Sequence, residues 1–137
     1  MTDTLPETWI PEPRPATAQF FEGAKEGKLR LQKCNDCGQW GFPLMEICPE
    51  CGSHNIEWAD ASGQGTVYSH GRLQRAYHPR HADRLPLVIA QIDIPEGLRL
   101  MSNIVDAAPE DIKAGDAVVA TFETFPDGGV LPVFKPA

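Results

Sequence analysis

The chain has 137 residues, with 19 Asp and Glu against 12 Lys and Arg, a formal charge of −7, and 42% hydrophobic residues. No apolar run approaches the roughly 18 residues that a membrane-spanning helix needs. The acidic balance argues against the general phosphate attraction that supplies most non-specific nucleic-acid affinity. The N-terminus, MTDTLPETWIPEPRP, lacks a basic region followed by an apolar one, so a cytoplasmic, reducing compartment is the default expectation. Thirteen prolines and twelve glycines spread along the chain favour short strands and many turns, hence a mostly β protein.

Residues 1–15 carry Pro6, Pro11, Pro13 and Pro15, which fix φ and remove backbone donors, so an extended arm is expected there. Thr17 is placed to cap a short helix, Ala18 to Glu26, with Gly27 at its C-terminal end. Trp9, Ile10, Phe20 and Phe21 give this N-terminal piece more apolar surface than a solvated tail carries. They are candidates either for covering the β core or for docking another chain.

From Lys28 the hydrophobic period becomes two, with Leu29 and Leu31 leading into Cys34-Asn-Asp-Cys37, a short Trp40 to Leu44 stretch, and Cys48-Pro-Glu-Cys51. After the SGQG turn, strands are expected over about 66–77, 86–94, 98–105, 117–124 and 130–135, with one helical turn at 109–113. Five strands with a short helix between the third and fourth match the order of an oligonucleotide-binding (OB) barrel. The expected division is an arm and helix over 1–27, a zinc ribbon over 28–61 and an OB-fold domain over 62–137.

The two C-x-x-C pairs are separated by ten residues, and each is followed by a glycine, Gly38 and Gly52. Four thiolates so arranged enclose a tetrahedral metal, and glycine allows each turn its positive φ. A thioredoxin-like redox pair expects a βαβ setting that is absent from the pattern, and an iron centre of the rubredoxin type is the other competitor to structural zinc. A closed set of four cysteines leaves no coordination position for substrate and no free thiol as nucleophile. His54 reads as a loop residue, and Trp40, Phe42 and Trp58 as packing beside the metal.

No Gly-x-Ser-x-Gly elbow, glycine-rich phosphate loop or paired metal-binding histidine motif occurs. Asp93 sits in the apolar run LVIAQIDI, where alternation places it outward with Gln91. The segment from Ser69 to Arg84 departs from the acidic average, with Arg72, Arg75, Arg80 and Arg84 against the single acid Asp83. Three roles fit it: a solvated loop, a contact for a phosphorylated ligand such as coenzyme A, or a contact for an acidic protein surface.

The ordered combination of FFEGAKEGKLRLQKC, CNDCGQWGFPLMEICPECGS, IEWADASGQGTVYSH, PLVIAQIDIPEGLRLMSNIVD and GDAVVATFET with LPVFKP resembles the DUF35 family, in which a rubredoxin-like zinc ribbon precedes an OB fold. The resemblance spans residues 18–136. It implies a non-catalytic accessory subunit, cytoplasmic and carrying structural zinc, that joins a thiolase-fold enzyme in a hetero-oligomer. The partner would supply the chemistry on an acyl-CoA shared with this chain. Such families also accompany hot-dog-fold hydratases, and a nucleic-acid-binding ribbon and barrel or an iron electron carrier would be the other classes. Cys34, Cys37, Cys48 and Cys51 are the expected metal ligands. Arg72, Arg75, Arg80 and Arg84 are the expected contacts to CoA or partner.

Overall fold

The computed structural model describes residues 10–42 and 44–137. One helix, α1 (Ala18–Lys25), leads into a three-stranded sheet of β1 (Arg30–Cys34), β2 (Trp40–Gly41) and β3 (Ile56–Asp60) in the order β2-β1-β3. Five further strands, β4 (Gln64–Leu73), β5 (Leu87–Asp93), β6 (Arg99–Ile104), β7 (Ala117–Thr124) and β8 (Val130–Pro136), close a barrel in the order β4-β5-β6-β8-β7. Its β6–β8 junction is parallel and the others are antiparallel, as in an OB fold. The mostly β class, the ribbon and the closed five-stranded barrel are those the sequence implies.

Alternation builds the barrel wall. Along β5, Val88, Ala90 and Ile92 are buried, while Ile89, Gln91 and Asp93 face outward. Asp93 meets Arg99 across the β5–β6 pair at 2.6 Å, so its carboxylate is held below its ordinary pKa by the guanidinium. Gly65 is needed because a Cβ there would lie 2.5 Å from Ile92 Cγ2, inside the core. A bulge between Val67 and Ser69 re-aims β4 beyond that point.

The ribbon and barrel share one core. Leu29 and Leu31 belong to the same buried cluster as Val67, Ile92, Leu100 and Phe134. Arg30 fixes the helix to this sheet, donating to Asp60 at 2.9 Å and to Glu26 at 2.8 Å, while Gly23 lets α1 approach the Arg30 side chain closely. A second cluster joins Ile10 and Phe21 to Phe125 at the β7–β8 end, with Phe20 and Leu131 against it.

Three local expectations differ from the structure. Thr17 makes no side-chain cap; its hydroxyl instead accepts the Arg14 N–H at 3.0 Å, closing the preceding turn. The first barrel strand ends at Leu73 rather than Tyr77, because Pro86 offers no N–H to continue the ladder past Leu87 and residues 79–84 coil into a 3-10 helix. The helical turn expected before β7 is present, but as a 3-10 helix over Pro109–Asp111 rather than 109–113.

Replacing Gly65 with Ala should destabilise the protein by about 1–3 kcal/mol in urea unfolding, the cost of overpacking a filled core. The same change at Gly71, where a Cβ meets nothing within 4 Å, should stay within about 0.5 kcal/mol.

Candidate metal centre and basic hairpin

Each C-x-x-C pair closes a tight turn: Gly38 N–H donates to Cys34 O at 2.9 Å, and Gly52 N–H to Cys48 O at 2.8 Å. Both glycines hold positive φ, 79° and 74°. Cys34 ends β1 and is fully buried, with Cys48 nearly so, while Cys37 and Cys51 lie toward solvent. The register Cys34↔Ile56 ties the first knuckle to β3.

The four Sγ atoms all lie within 4.8 Å of one another, with Cys34 to Cys51 at 3.6 Å and Cys37 to Cys48 at 3.5 Å. A tetrahedron with Zn–S bonds of about 2.3 Å has sulfurs about 3.8 Å apart, so the donor set fits zinc. The thiols differ in acidity. The Cys37 backbone N–H, with that of Asp36, brings the Cys34 thiol down to about 7. At Cys51 the Ser53 N–H favours the thiolate, but partial desolvation and the three neighbouring sulfurs push the thiol up to about 12. Four thiolates at this spacing require a cation among them.

The knuckles are also laced together from outside the sulfurs. Asp36 of the first accepts the Ser53 hydroxyl and, at 3.3 Å, the Asn55 amide of the second, and these donors hold its carboxyl below its usual range. Behind β1, buried Gln32 accepts the Met45 N–H at 2.5 Å and so fixes the link between the knuckles. The aromatics expected beside the metal divide. Trp40 packs against the main core, whereas Phe42 is 44% exposed. Phe42 rests on Phe20 at 5.7 Å and, with Leu44 and Trp58, lines an apolar groove of about 230 Å³.

The four arginines of the basic segment are not equivalent. Arg72 is an exposed residue of β4, and Arg75 is exposed in the following loop, its guanidinium 5.8 Å from the Tyr77 ring centroid. Arg84 is committed within the chain: it grips both Glu123 oxygens at 2.7 and 2.9 Å and lies over Phe125 at 5.4 Å. Arg80 sits in the same 3-10 helix, and its side chain lies outside the described atoms. Of the N-terminal docking candidates, Trp9 lies outside the described residues. Ile10 and Phe21 are buried against Phe125, and Phe20 is half-buried, so the chain itself covers most of this surface. No helix among the described residues is long and apolar enough to cross a membrane.

Comparison with known proteins places these features in a family. The model of the ChsH2 rubredoxin-like zinc ribbon domain matches residues 21–57, and that of the ChsH2 C-terminal OB-fold domain matches residues 58–123. A DUF35 domain-containing scaffold protein of Methanocaldococcus jannaschii is 37% identical, over 71% of this chain and 69% of its own length. A probable enoyl-CoA hydratase alpha subunit of Thermomonospora curvata is 39% identical over 91% of this chain, which spans only 40% of that relative. The benzoylsuccinyl-CoA thiolase subunit BbsA of Thauera aromatica is 28% identical, over 85% of this chain and 83% of its own length. Among solved structures, a chain of the Ltp2-ChsH2(DUF35) aldolase superposes with a TM-score of 0.82 at 35% identity, covering 93% of this chain and 98% of that one.

Substituting Cys37 or Cys51 by Ser should abolish stoichiometric zinc by elemental analysis. Because Leu29 and Leu31 belong to the barrel core, the whole chain should then unfold about 10 °C or more lower, roughly a 3 kcal/mol loss. Asp36→Ala should keep the fold but weaken zinc about 10–100-fold in chelator competition, as expected for a group that orients a ligand-bearing turn.

Proposed function

The chain belongs to the DUF35 family, and from that membership we propose that it is a zinc-held, non-catalytic subunit of a thiolase-superfamily complex acting on acyl-CoA. The observation that carries the reading is the diversity of its relatives. The segment they share with this chain occurs in proteins named for a thiolase, a hydratase and an aldolase. These three reactions need different catalytic groups, so what the common segment supplies is assembly and access to a shared type of substrate rather than one chemistry.

The chain's own chemistry supports this. The only thiols are the four that converge on one another, and a closed four-sulfur zinc site holds a fold without activating water. When bound, zinc here supplies cross-linking of two turns. The protein residues do the rest: β1 carries Cys34 and the core leucines, and β4–β5 extends the basic hairpin from the barrel. Arg72, Arg75 and Arg80 are then the proposed contacts to CoA phosphates or to the partner, with Arg84 holding the hairpin's base to β7. The groove lined by Phe20, Phe42 and Leu44 is the proposed docking surface of the N-terminal region, with Ile10 and Phe21 packed beneath it against Phe125; Trp9, the remaining docking candidate, lies outside the described residues. Cytoplasmic residence completes the proposal.

A second reading makes the partner a hydratase of the hot-dog fold, favoured by the 39% identity to the hydratase alpha subunit. Affinity capture of the tagged chain from its native lysate separates the two. Recovery of a thiolase-fold subunit in fixed ratio is the expected result, a hot-dog-fold subunit would support the second reading, and thiolase, aldolase or hydratase turnover by the purified chain alone would refute both.

A further inference from the structure

Of the twelve glycines, all but one have a reason within the chain. Seven hold positive φ, and at Gly23, Gly41, Gly65 and Gly129 an added Cβ would lie under 3.0 Å from another atom. Gly71 has neither: it lies inside β4 without positive φ, and a Cβ there would meet nothing within 4 Å. A glycine inside a strand weakens it, and where the fold does not need one it marks a place that another backbone or a ligand approaches closely. Its surroundings are apolar where a solvated strand face would be polar. Gly71 pairs with Ile89 and Leu73 with Leu87, so all four share the outward face of the barrel. On β6, Met101 pairs with Gln91 on that face and is 70% exposed. β5 is therefore apolar outward at Leu87 and Ile89 as well as inward at Val88, Ala90 and Ile92, the pattern of a strand covered on both sides. Leu73, Ile89 and Met101 line a depression of about 370 Å³ over Gly71.

We propose that this outer face of β4–β5–β6 docks an extended apolar segment of the partner enzyme subunit, its main chain passing over Gly71, an apolar side chain seated against Ile89 and Met101, and a carboxylate at the hairpin end. Charge sets that chemistry. Among the described residues, the face's own charges, Asp93 and Arg99, pair with each other, and exposed Arg72 and Arg75 follow at its hairpin end. An uncharged segment ending in an acid is complementary to this arrangement, and a polyanion is not. Three strands about 4.8 Å apart over four residues cover on the order of 200 Å², against about 800 Å² per partner in a stable complex. The face is thus one part of a larger contact, and it continues through Leu73 into the hairpin already proposed to meet the partner. A second copy of a chain of −7 would be repelled. A small ligand takes a concave site that buries most of its surface, whereas Met101 stands open, and exposed methionine suits adaptable contact with another protein's apolar side chains. The inference rests on the accessory reading and adds to it the barrel face that the enzyme meets.

The test uses the zinc-loaded full chain and the enzyme subunit that it captures, purified apart and titrated by calorimetry. Gly71→Val suits the extended backbone and open space of β4, so it should hold or raise the melting temperature while weakening the subunit by about tenfold or more. Met101→Gln should weaken it likewise, and Met101→Leu should retain it. In the wild type, the Met101 methyl resonance should shift and become shielded from a paramagnetic solvent probe when the subunit is added. Wild-type affinity of Gly71→Val, or a Met101 methyl unmoved in the complex, overturns the inference while the accessory role stands. So does a Met101 shift produced by CoA alone, which would make the face a ligand site, or by concentrating the chain alone, which would make it a contact between copies. If the wild type captures no acyl-CoA enzyme, the accessory reading fails and this inference falls with it.

Discussion

Four sulfurs held within 4.8 Å of one another are the constraint on which the rest of this molecule depends. Without a cation they repel as thiolates and pack poorly as thiols. With one they lock the two turns that Asp36, Ser53 and Asn55 also tie together from outside the sulfurs, beside a β2 only two residues long. The first turn follows directly on β1, and β1 in turn brings Leu31 into the barrel core and sets Arg30 between Glu26 and Asp60. A metal at one end thereby stabilises packing that runs into the OB fold, and a 137-residue chain with many turns gains a core that neither part would fill alone.

The division of labour follows from that rigidity. The ribbon and helix present apolar surface, in the groove beside Phe42, and the barrel projects a basic hairpin from an otherwise acidic body. Arg84 and Glu123 join the hairpin to β7, so exposed Arg75 and Tyr77 stand on a fixed base rather than on a free loop. The proposed role, holding other surfaces in register, uses both features. The relatives, which share this segment across different CoA-thioester reactions, are consistent with a part that positions rather than reacts.

Features written in local spacing were legible before the structure. The C-x-x-C pairs with trailing glycines, the alternation of Val88, Ala90 and Ile92, and the turn glycines each depend on neighbours within a few residues. What was not legible depends on long-range pairing. Arg84 reads as one more basic loop residue until Glu123, 39 positions away, is found opposite it. Ile10 and Phe21 read as residues that either cover the β core or dock another chain, and local spacing does not choose between the two because their partner Phe125 lies far along the chain. The end of β4 at Leu73 is set by where Pro86 stops its partner strand, which the hydrophobic pattern of β4 alone does not encode. Tyr77, assigned to that strand by pattern, lies beyond its end for the same reason.

The measurement that tests the account most directly is reconstitution of the partner enzyme recovered with this chain, assayed for acyl-CoA turnover with each component alone and together. The account predicts turnover only when the zinc-loaded chain and the partner are combined in fixed ratio. Turnover by the isolated chain, or full activity of the partner without it, would contradict the role assigned here.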